Sequence, residues 1–297
     1  MPIENVSDTA RWVAVYRAME SERPDALFRD PWARRLAGAR GEEIVATMKR
    51  GRSMAWPMVV RTAVFDEIIL ETIARDQVDM VVNLAAGLDA RPWRLALPAS
   101  LRWVDVDLPA ILDYKLDSIA DAPPVCAYEA VRADLTHVSA RRALISRLGA
   151  ESRRALVVTE GLLIYLTADQ VGALAAELHR PESFRSWLFD LATPRLLRLM
   201  HRTWGKAVAK GNAPFQFAPA EGTAFFNQYG WREAQFRSSM DEARRLKREM
   251  AFAAFWRVLG RLYPARIREE FRKMSGIVLL RKEQNHADEG REAMVER

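Results

Sequence analysis

From about residue 78 the chain alternates short apolar runs with helical stretches, and this alternation constrains the fold more than any other feature. VDMVVNLAA (78–86), LRWVDVD (101–107), CAYEAVRAD (126–134), RALVVTEG (154–161) and SWLFDLAT (186–193) read as strands. The near-continuous apolar character of the first suits a strand covered on both faces. Between them, LPAILDYKLDSIA puts Ile111, Leu112, Leu116 and Ile119 on one side of a helix. TADQVGALAAELHR opens with Thr167 and Gln170 at capping-box spacing. Strands alternating with helices predict a parallel, doubly wound sheet. Two later strands, WREAQFRSS (231–239) and SGIVLLRK (275–282), suit a sheet whose final pair is antiparallel.

The first 76 residues read as a helical N-terminal extension that caps the domain and forms part of a substrate site. In SDTARWVAVYRAMESE, Trp12, Val15, Tyr16 and Met19 share a stripe. Asp30-Pro31 reads as an N-cap followed by Pro at the first helical position. A Rossmann-like domain should then span residues 77–282, with helical insertions at about 194–230 and 240–273. A polar tail, 283–297, is expected to be disordered.

Of 297 residues nearly half are apolar, enough for a sizeable core. The net charge of +6 reads as arginine spread along the chain among acids, as on solvated helix faces, so a nucleic-acid partner is not expected. A single cysteine, Cys126, excludes an intrachain disulfide and a cysteine-based zinc site. The four histidines show no ligand spacing, so no metal is expected. The start of the chain lacks the pattern of a signal peptide, and no apolar stretch approaches the ~20 residues of a membrane span. The expectation is a soluble cytoplasmic protein with no membrane partner; the oligomeric state is not readable.

In open α/β sheets ligands bind beyond the carboxyl ends of the strands. The first strand ends at Ala85-Ala86-Gly87, where small residues admit a ligand against the backbone. The next three end at Asp107, at Asp134-Leu135 and at Glu160. Asp107 suits ribose hydroxyls, which donate to it. Asp134 can accept from an adenine amino group while the Leu135 N–H donates to a ring nitrogen. Glu160 can accept from an ammonium. Asp105 alternates with Asp107 and should face the other way. An acidic row suits a cation better than a pyrophosphate, which needs a glycine-rich helix start and positive charge. S-adenosylmethionine fits, and Arg61 on the preceding helix is the candidate for its carboxylate.

In order along the chain, NLAAGLDARPWRL, WVDVDLPAILDYK, RADL and TEGLLIYLT resemble the leucine carboxyl methyltransferase family of class I S-adenosylmethionine-dependent methyltransferases. The bacterial branch of that family includes polyketide O-methyltransferases. The resemblance runs from about Thr9 to about Thr167, and more loosely to the last strand. It implies a Rossmann-like class I methyltransferase fold, with a seven-stranded, mostly parallel sheet and an antiparallel last strand. It also implies cofactor contacts at Arg61, Ala85 to Gly87, Asp107, Asp134-Leu135 and Glu160. Two departures stand out. Ala85 replaces the first glycine of a Gly-Ala-Gly turn, which a methyl group tolerates if φ stays negative. Ala10 stands where the eukaryotic protein-modifying members have a lysine, which weakens the case for a protein acceptor.

The implied reaction is O-methylation of a carboxylate or hydroxyl on a small hydrophobic molecule such as a polyketide. Trp204, Phe215, Phe217, Phe225 and Phe226 give the first insertion an aromatic content that suits such an acceptor. No catalytic base is assigned; His201 and Tyr165 are the weak candidates. Asp89 and Arg91 read as a structural ion pair. The rivals are a protein carboxyl methyltransferase, an NAD-dependent oxidoreductase (whose G-x-G-x-x-G is absent) and a non-enzymatic nucleic-acid-binding protein.

Overall fold

Seven strands form where the apolar runs predict them: β1 Met80–Leu84, β2 Arg102–Asp107, β3 Ala127–Arg132, β4 Ala155–Thr159, β5 Phe184–Ala192, β6 Trp231–Ser238 and β7 Ser275–Lys282. The computed structural model describes residues 6–47, 55–210, 214–250, 252–253, 255, 260 and 262–283. The expected disordered tail after Glu283 lies outside the described residues. The helices are α1 Val6–Ser21, α2 Ala33–Thr47, α3 Trp56–Asp76, α4 Arg91–Arg94, α5 Pro109–Ser118, α6 Val138–Glu151, α7 Ala168–Leu178, α8 Pro194–Lys210, α9 Ser239–Arg245 and α10 Ala265–Arg272.

The strands join one sheet in the order β3-β2-β1-β4-β5-β7-β6. β1 to β5 pair in parallel, and β7 runs antiparallel between β5 and β6. The order reverses between β1 and β4, so the crevice for a ligand opens there, beyond the carboxyl ends.

Successive side chains of a strand point to opposite faces, which splits neighbouring residues between two cores. Val82, Leu84, Val104 and Val157 join one core, with Leu148 of α6 and Leu174 of α7. Val81, Trp103, Leu156 and Val158 join the other, with Val64, Phe65 and Ile68 of α3. Both faces are covered, which is why these strands read as continuous apolar runs. A third core ties α1 and α2 to the turn after β1. It combines Val15 and Tyr16 of the predicted stripe with Leu36, Leu88 and Trp93. The capping box also forms: Gln170 N–H donates to Thr167 Oγ1 at 3.2 Å, and Thr167 N–H donates to Gln170 Oε1 at 2.8 Å.

Two local expectations fail. The helix after Asp30-Pro31 begins only at Ala33: Asp30 Oδ1 accepts the Trp32 N–H at 3.1 Å, but Oδ2 lies 2.9 Å from Arg17 Nε. That helix is itself broken at Gly38, whose φ of 61° is open to glycine without strain. The segment 240–273 is not one helix. α9 stops at Arg245, Lys247 takes a left-handed φ of 55°, and Pro264 precedes the start of α10.

The aromatic insertion divides. A short tight helix, Gly222–Tyr229, presses Phe226 into the sheet, 4.9 Å from the Phe189 ring and 5.3 Å from the Trp187 ring. Phe225 packs against that core, so neither residue belongs to an acceptor site. The side chain of Trp204 lies outside the described residues. Phe226→Ala should therefore cost about 3–5 kcal/mol of stability in urea unfolding, as large-to-small changes in cores do, while cofactor affinity measured on the folded variant stays at the wild-type value.

Candidate functional site

A cavity of about 620 Å³ opens at the carboxyl ends of the parallel strands. It brings together every cofactor-site residue named from the sequence: Arg61, Ala85, Gly87, Asp107, Asp134, Leu135 and Glu160 all line it. α1 and α3 supply one wall, through Thr9, Trp12, Trp56 and Arg61. Leu196 and Met200 of α8 supply another, with Phe215 and Phe217 from the segment that follows.

The turn after β1 is pinned to β2 by two hydrogen bonds. Ala86 N–H donates to Val106 O at 3.3 Å, and Gly87 N–H donates to Asp107 Oδ2 at 2.6 Å. Gly87 has φ 51°, and a Cβ there would lie 3.3 Å from the Cβ of Ala10, so α1 rests directly on the turn. Ala85 does not meet the condition under which its methyl is tolerated freely: its φ is +55°, not negative. The turn keeps the left-handed conformation that glycine would adopt without strain, and the alanine methyl is held against its preference, a cost on the order of 1 kcal/mol.

Asp107 holds the turn through Oδ2, while its Oδ1 accepts the Leu108 N–H at 2.7 Å. Burial pushes its carboxyl up, although these N–H groups work against the rise. Asp105 points the opposite way, as alternation requires, and is fully buried. It pairs with Lys115 and accepts from Trp103 Nε1 at 2.8 Å, Tyr128 Oη at 2.9 Å and Asn83 Nδ2 at 2.9 Å. Asp134 Oδ1 accepts from the Thr136 hydroxyl at 2.7 Å and its N–H at 2.8 Å, and these bonds hold its carboxyl below the usual range. The Leu135 N–H makes no hydrogen bond among the described residues.

Glu160 and Arg61 meet. Arg61 Nε lies 2.9 Å from Glu160 Oε1, and its Nη1 lies 3.3 Å from Asp190 Oδ2. The other oxygen of Glu160 is 2.8 Å from Arg91 Nη1. Arg91 does pair with Asp89, at 2.7 Å, and it also reaches Asp66 of α3 at 2.6 Å. Burial alone would raise the Glu160 and Asp89 carboxyls, but the guanidinium charges outweigh it and hold both below the usual range.

Sequence reasoning missed Asp190, Asp66 and Asn83. Asp190 lies two residues before the end of β5, and its Oδ1 accepts the Gly161 N–H at 2.6 Å, so the same strand-end logic reaches it. Asp66 sits within a helical apolar run, and only the packing of α3 reveals its partners. Asn83 is buried inside β1, where its amide donates to Asp89 Oδ2 at 3.1 Å as well as to Asp105.

Neither candidate base gains support. His201 Nε2 is bonded to Phe215 O at 2.7 Å, and His201 does not line the cavity. Tyr165 lines it, but burial pushes its hydroxyl up, which favours a neutral donor over a base.

A family model for leucine carboxyl methyltransferases matches residues 10–179, more than half of the chain. A Streptomyces coelicolor protein, named with a provisional assignment as an S-adenosyl-L-methionine-dependent methyltransferase, is 38% identical over 182 residues, covering 57% of this chain and 63% of that protein. A Parafrankia protein with the same provisional name is 37% identical over 185 residues, covering 59% of each. The chain thus spans less than two thirds of the length of these relatives. The solved structure of a DUF574 family protein from Streptomyces avermitilis superposes with a TM-score of 0.58 at 13% identity, over 92% of this chain and 97% of that one, a likeness of fold.

The strain at Ala85 is open to a direct check. Ala85→Gly should raise the stability of the ligand-free protein by up to about 1 kcal/mol, because relief of the left-handed alanine exceeds the entropy that glycine adds to the unfolded chain. Thermal melting measures it; a lower melting temperature would mean that the methyl packs favourably where it stands.

Proposed function

Because the chain belongs to the leucine carboxyl methyltransferase family, we propose that it is an S-adenosylmethionine-dependent methyltransferase that methylates an oxygen of a small hydrophobic molecule, such as a polyketide. The fold is the Rossmann-like class I methyltransferase fold. One observation carries the proposal: a single cavity joins an acidic floor at the strand ends to an apolar wall from α1, α3 and α8.

The charges of that floor fit the cofactor. The charged side chains lining the cavity are five carboxylates (Asp89, Asp107, Asp134, Glu160 and Asp190) and four guanidiniums (Arg17, Arg61, Arg91 and Arg94). One negative charge is in excess, within a chain whose net charge is +6. S-adenosylmethionine carries a sulfonium and an ammonium against one carboxylate and so complements the excess. A dinucleotide pyrophosphate would add to it, and the turn at Ala85 presents no glycine-rich helix start.

Asp107 holds the turn in place, and its remaining lone pairs can accept from ribose hydroxyls. Asp134 and the Leu135 N–H form an acceptor–donor pair for an adenine edge. Arg61, fixed by Glu160 and Asp190, presents its remaining donors to a carboxylate. When bound, the cofactor supplies an electrophilic methyl group on its sulfonium. The chain's own contribution is to align the acceptor and exclude water, through Trp12, Trp56, Met200, Phe215 and Phe217.

A carboxylate is the acceptor that the lining suits best. It is already ionised at neutral pH and needs no proton removed. The Tyr165 hydroxyl is shifted away from acting as a base, and Glu160 and Asp190 are engaged with guanidiniums. Ala10, packed on Gly87, replaces the lysine of the protein-modifying members and supports a small molecule over a protein acceptor.

A screen with methyl-labelled cofactor should find aliphatic or aromatic acids methylated, at a rate nearly flat from about pH 6 to about pH 9. Mild base should release the label as methanol, as from an ester. Base-stable label on phenols, with a rate rising with pH, would move the acceptor to a hydroxyl. Label on neither class, in protein that binds S-adenosylhomocysteine, would overturn O-methylation.

A further inference from the structure

The outer surface around the cavity mouth differs from the rest of the molecule. Of the ten large apolar side chains that stand exposed among the described residues, eight belong to α8 or to residues 240–271. Phe252 and Leu262 are each 81% exposed. The same segments are basic in sequence. α8 has Arg195, Arg198, Arg202, Lys206 and Lys210 in its sequence and neither Asp nor Glu. Residues 239–273 have ten Lys or Arg against five Asp or Glu. In sequence these two segments together hold a net charge of +10, against +6 for the whole chain, although Arg245 and Arg248 pair with Glu67 and Glu20 outside them, so the positive charge is not spread evenly as the sequence first suggests.

The two features adjoin each other and the cavity. Leu196, Leu199 and Met200 of α8 line the cavity, while Arg195, Arg198 and Arg202 are exposed. The Arg195 guanidinium lies over the Phe271 ring at 4.0 Å, and that ring is 6.4 Å from Tyr263. Met240 and Met250 line the cavity and are themselves 43% and 42% exposed. An apolar path thus leads from the mouth to an outer face set with guanidiniums.

We propose that this face docks on an anionic membrane surface, from which a hydrophobic acceptor enters the cavity. Arginines attract anionic headgroups, and exposed phenylalanine and leucine side chains gain by entering the boundary between headgroups and acyl chains. A nucleic acid would use the arginines but gives no role to Phe252 and Leu262. No helix among the described residues is long and apolar enough to cross a membrane, and surface docking requires none. Docking stands by itself; only the delivery of an acceptor rests on the methyl-transfer reading.

The test is co-sedimentation of the full chain with phosphatidylcholine vesicles, with and without phosphatidylglycerol. The protein should pellet with the anionic vesicles and be released by salt. Arg198→Glu/Arg202→Glu should weaken this by roughly fivefold or more per arginine, and Phe252→Ser/Leu262→Ser should weaken it as well. None of these four residues lines the cavity, so both variants should bind S-adenosylhomocysteine as the wild type does. Failure to pellet with anionic vesicles at low salt, equal pelleting with neutral ones, or indifference to both variants would overturn the proposal. So would a wild-type dimer that Phe252→Ser/Leu262→Ser dissociates without changing vesicle binding, which would make the face a self-interface. Loss of S-adenosylhomocysteine binding in the wild type would instead count against the methyl-transfer reading and leave the vesicle result standing.

Discussion

Arg91 is 2% exposed, and its guanidinium meets three carboxylates: Asp66 from α3, Asp89 from its own turn and Glu160 from the end of β4. Through Glu160 it is joined to Arg61 and Asp190, and through Asp89 and Asn83 to Asp105 and Lys115. This chain of buried charge runs beneath the strand ends from β2 to β5. Such a network adds less to stability than an apolar core of equal volume would, yet breaking it by removing one partner costs about 3–5 kcal/mol. Its contribution is position. It fixes the turn after β1, the end of β4 and the middle of α3 relative to one another, and those three elements carry Gly87, Glu160 and Arg61.

Much of this was legible in the sequence because it follows from periodicity. Strands buried on both faces read as apolar runs, as β1 and β4 do, while β3 and β6 are more exposed and more polar and still form where strands were expected. Strand alternation separated Asp107 from Asp105, and the two do face opposite ways. Side-chain pairing between distant segments was not legible. Nothing local marks Asp66 as a partner of Arg91, or Phe226 as a wedge on Trp187 and Phe189. The left-handed Ala85 was missed for a related reason: alanine disfavours that conformation, and the turn that holds it is bonded to β2, a separate stretch of the chain.

The cavity has two chemistries because it lies between two kinds of element. Its floor is made of strand ends, which present carboxylates and backbone N–H groups of fixed direction. Its walls are helices with apolar faces, supplied by α1, α3 and α8. Charge follows the same division, with excess carboxylate in the cavity and excess arginine on the outer face beyond α8. A cationic cofactor and an apolar acceptor each find one region matched to them.

Calorimetric titration of S-adenosylhomocysteine and of NADH into the wild type and Asp107→Ala decides whether the strand-end residues form one cofactor site. The wild type should bind S-adenosylhomocysteine at micromolar concentration, the variant should lose that binding, and NADH should bind to neither. Binding of NADH, or S-adenosylhomocysteine binding that survives Asp107→Ala unchanged, would contradict a single strand-end site.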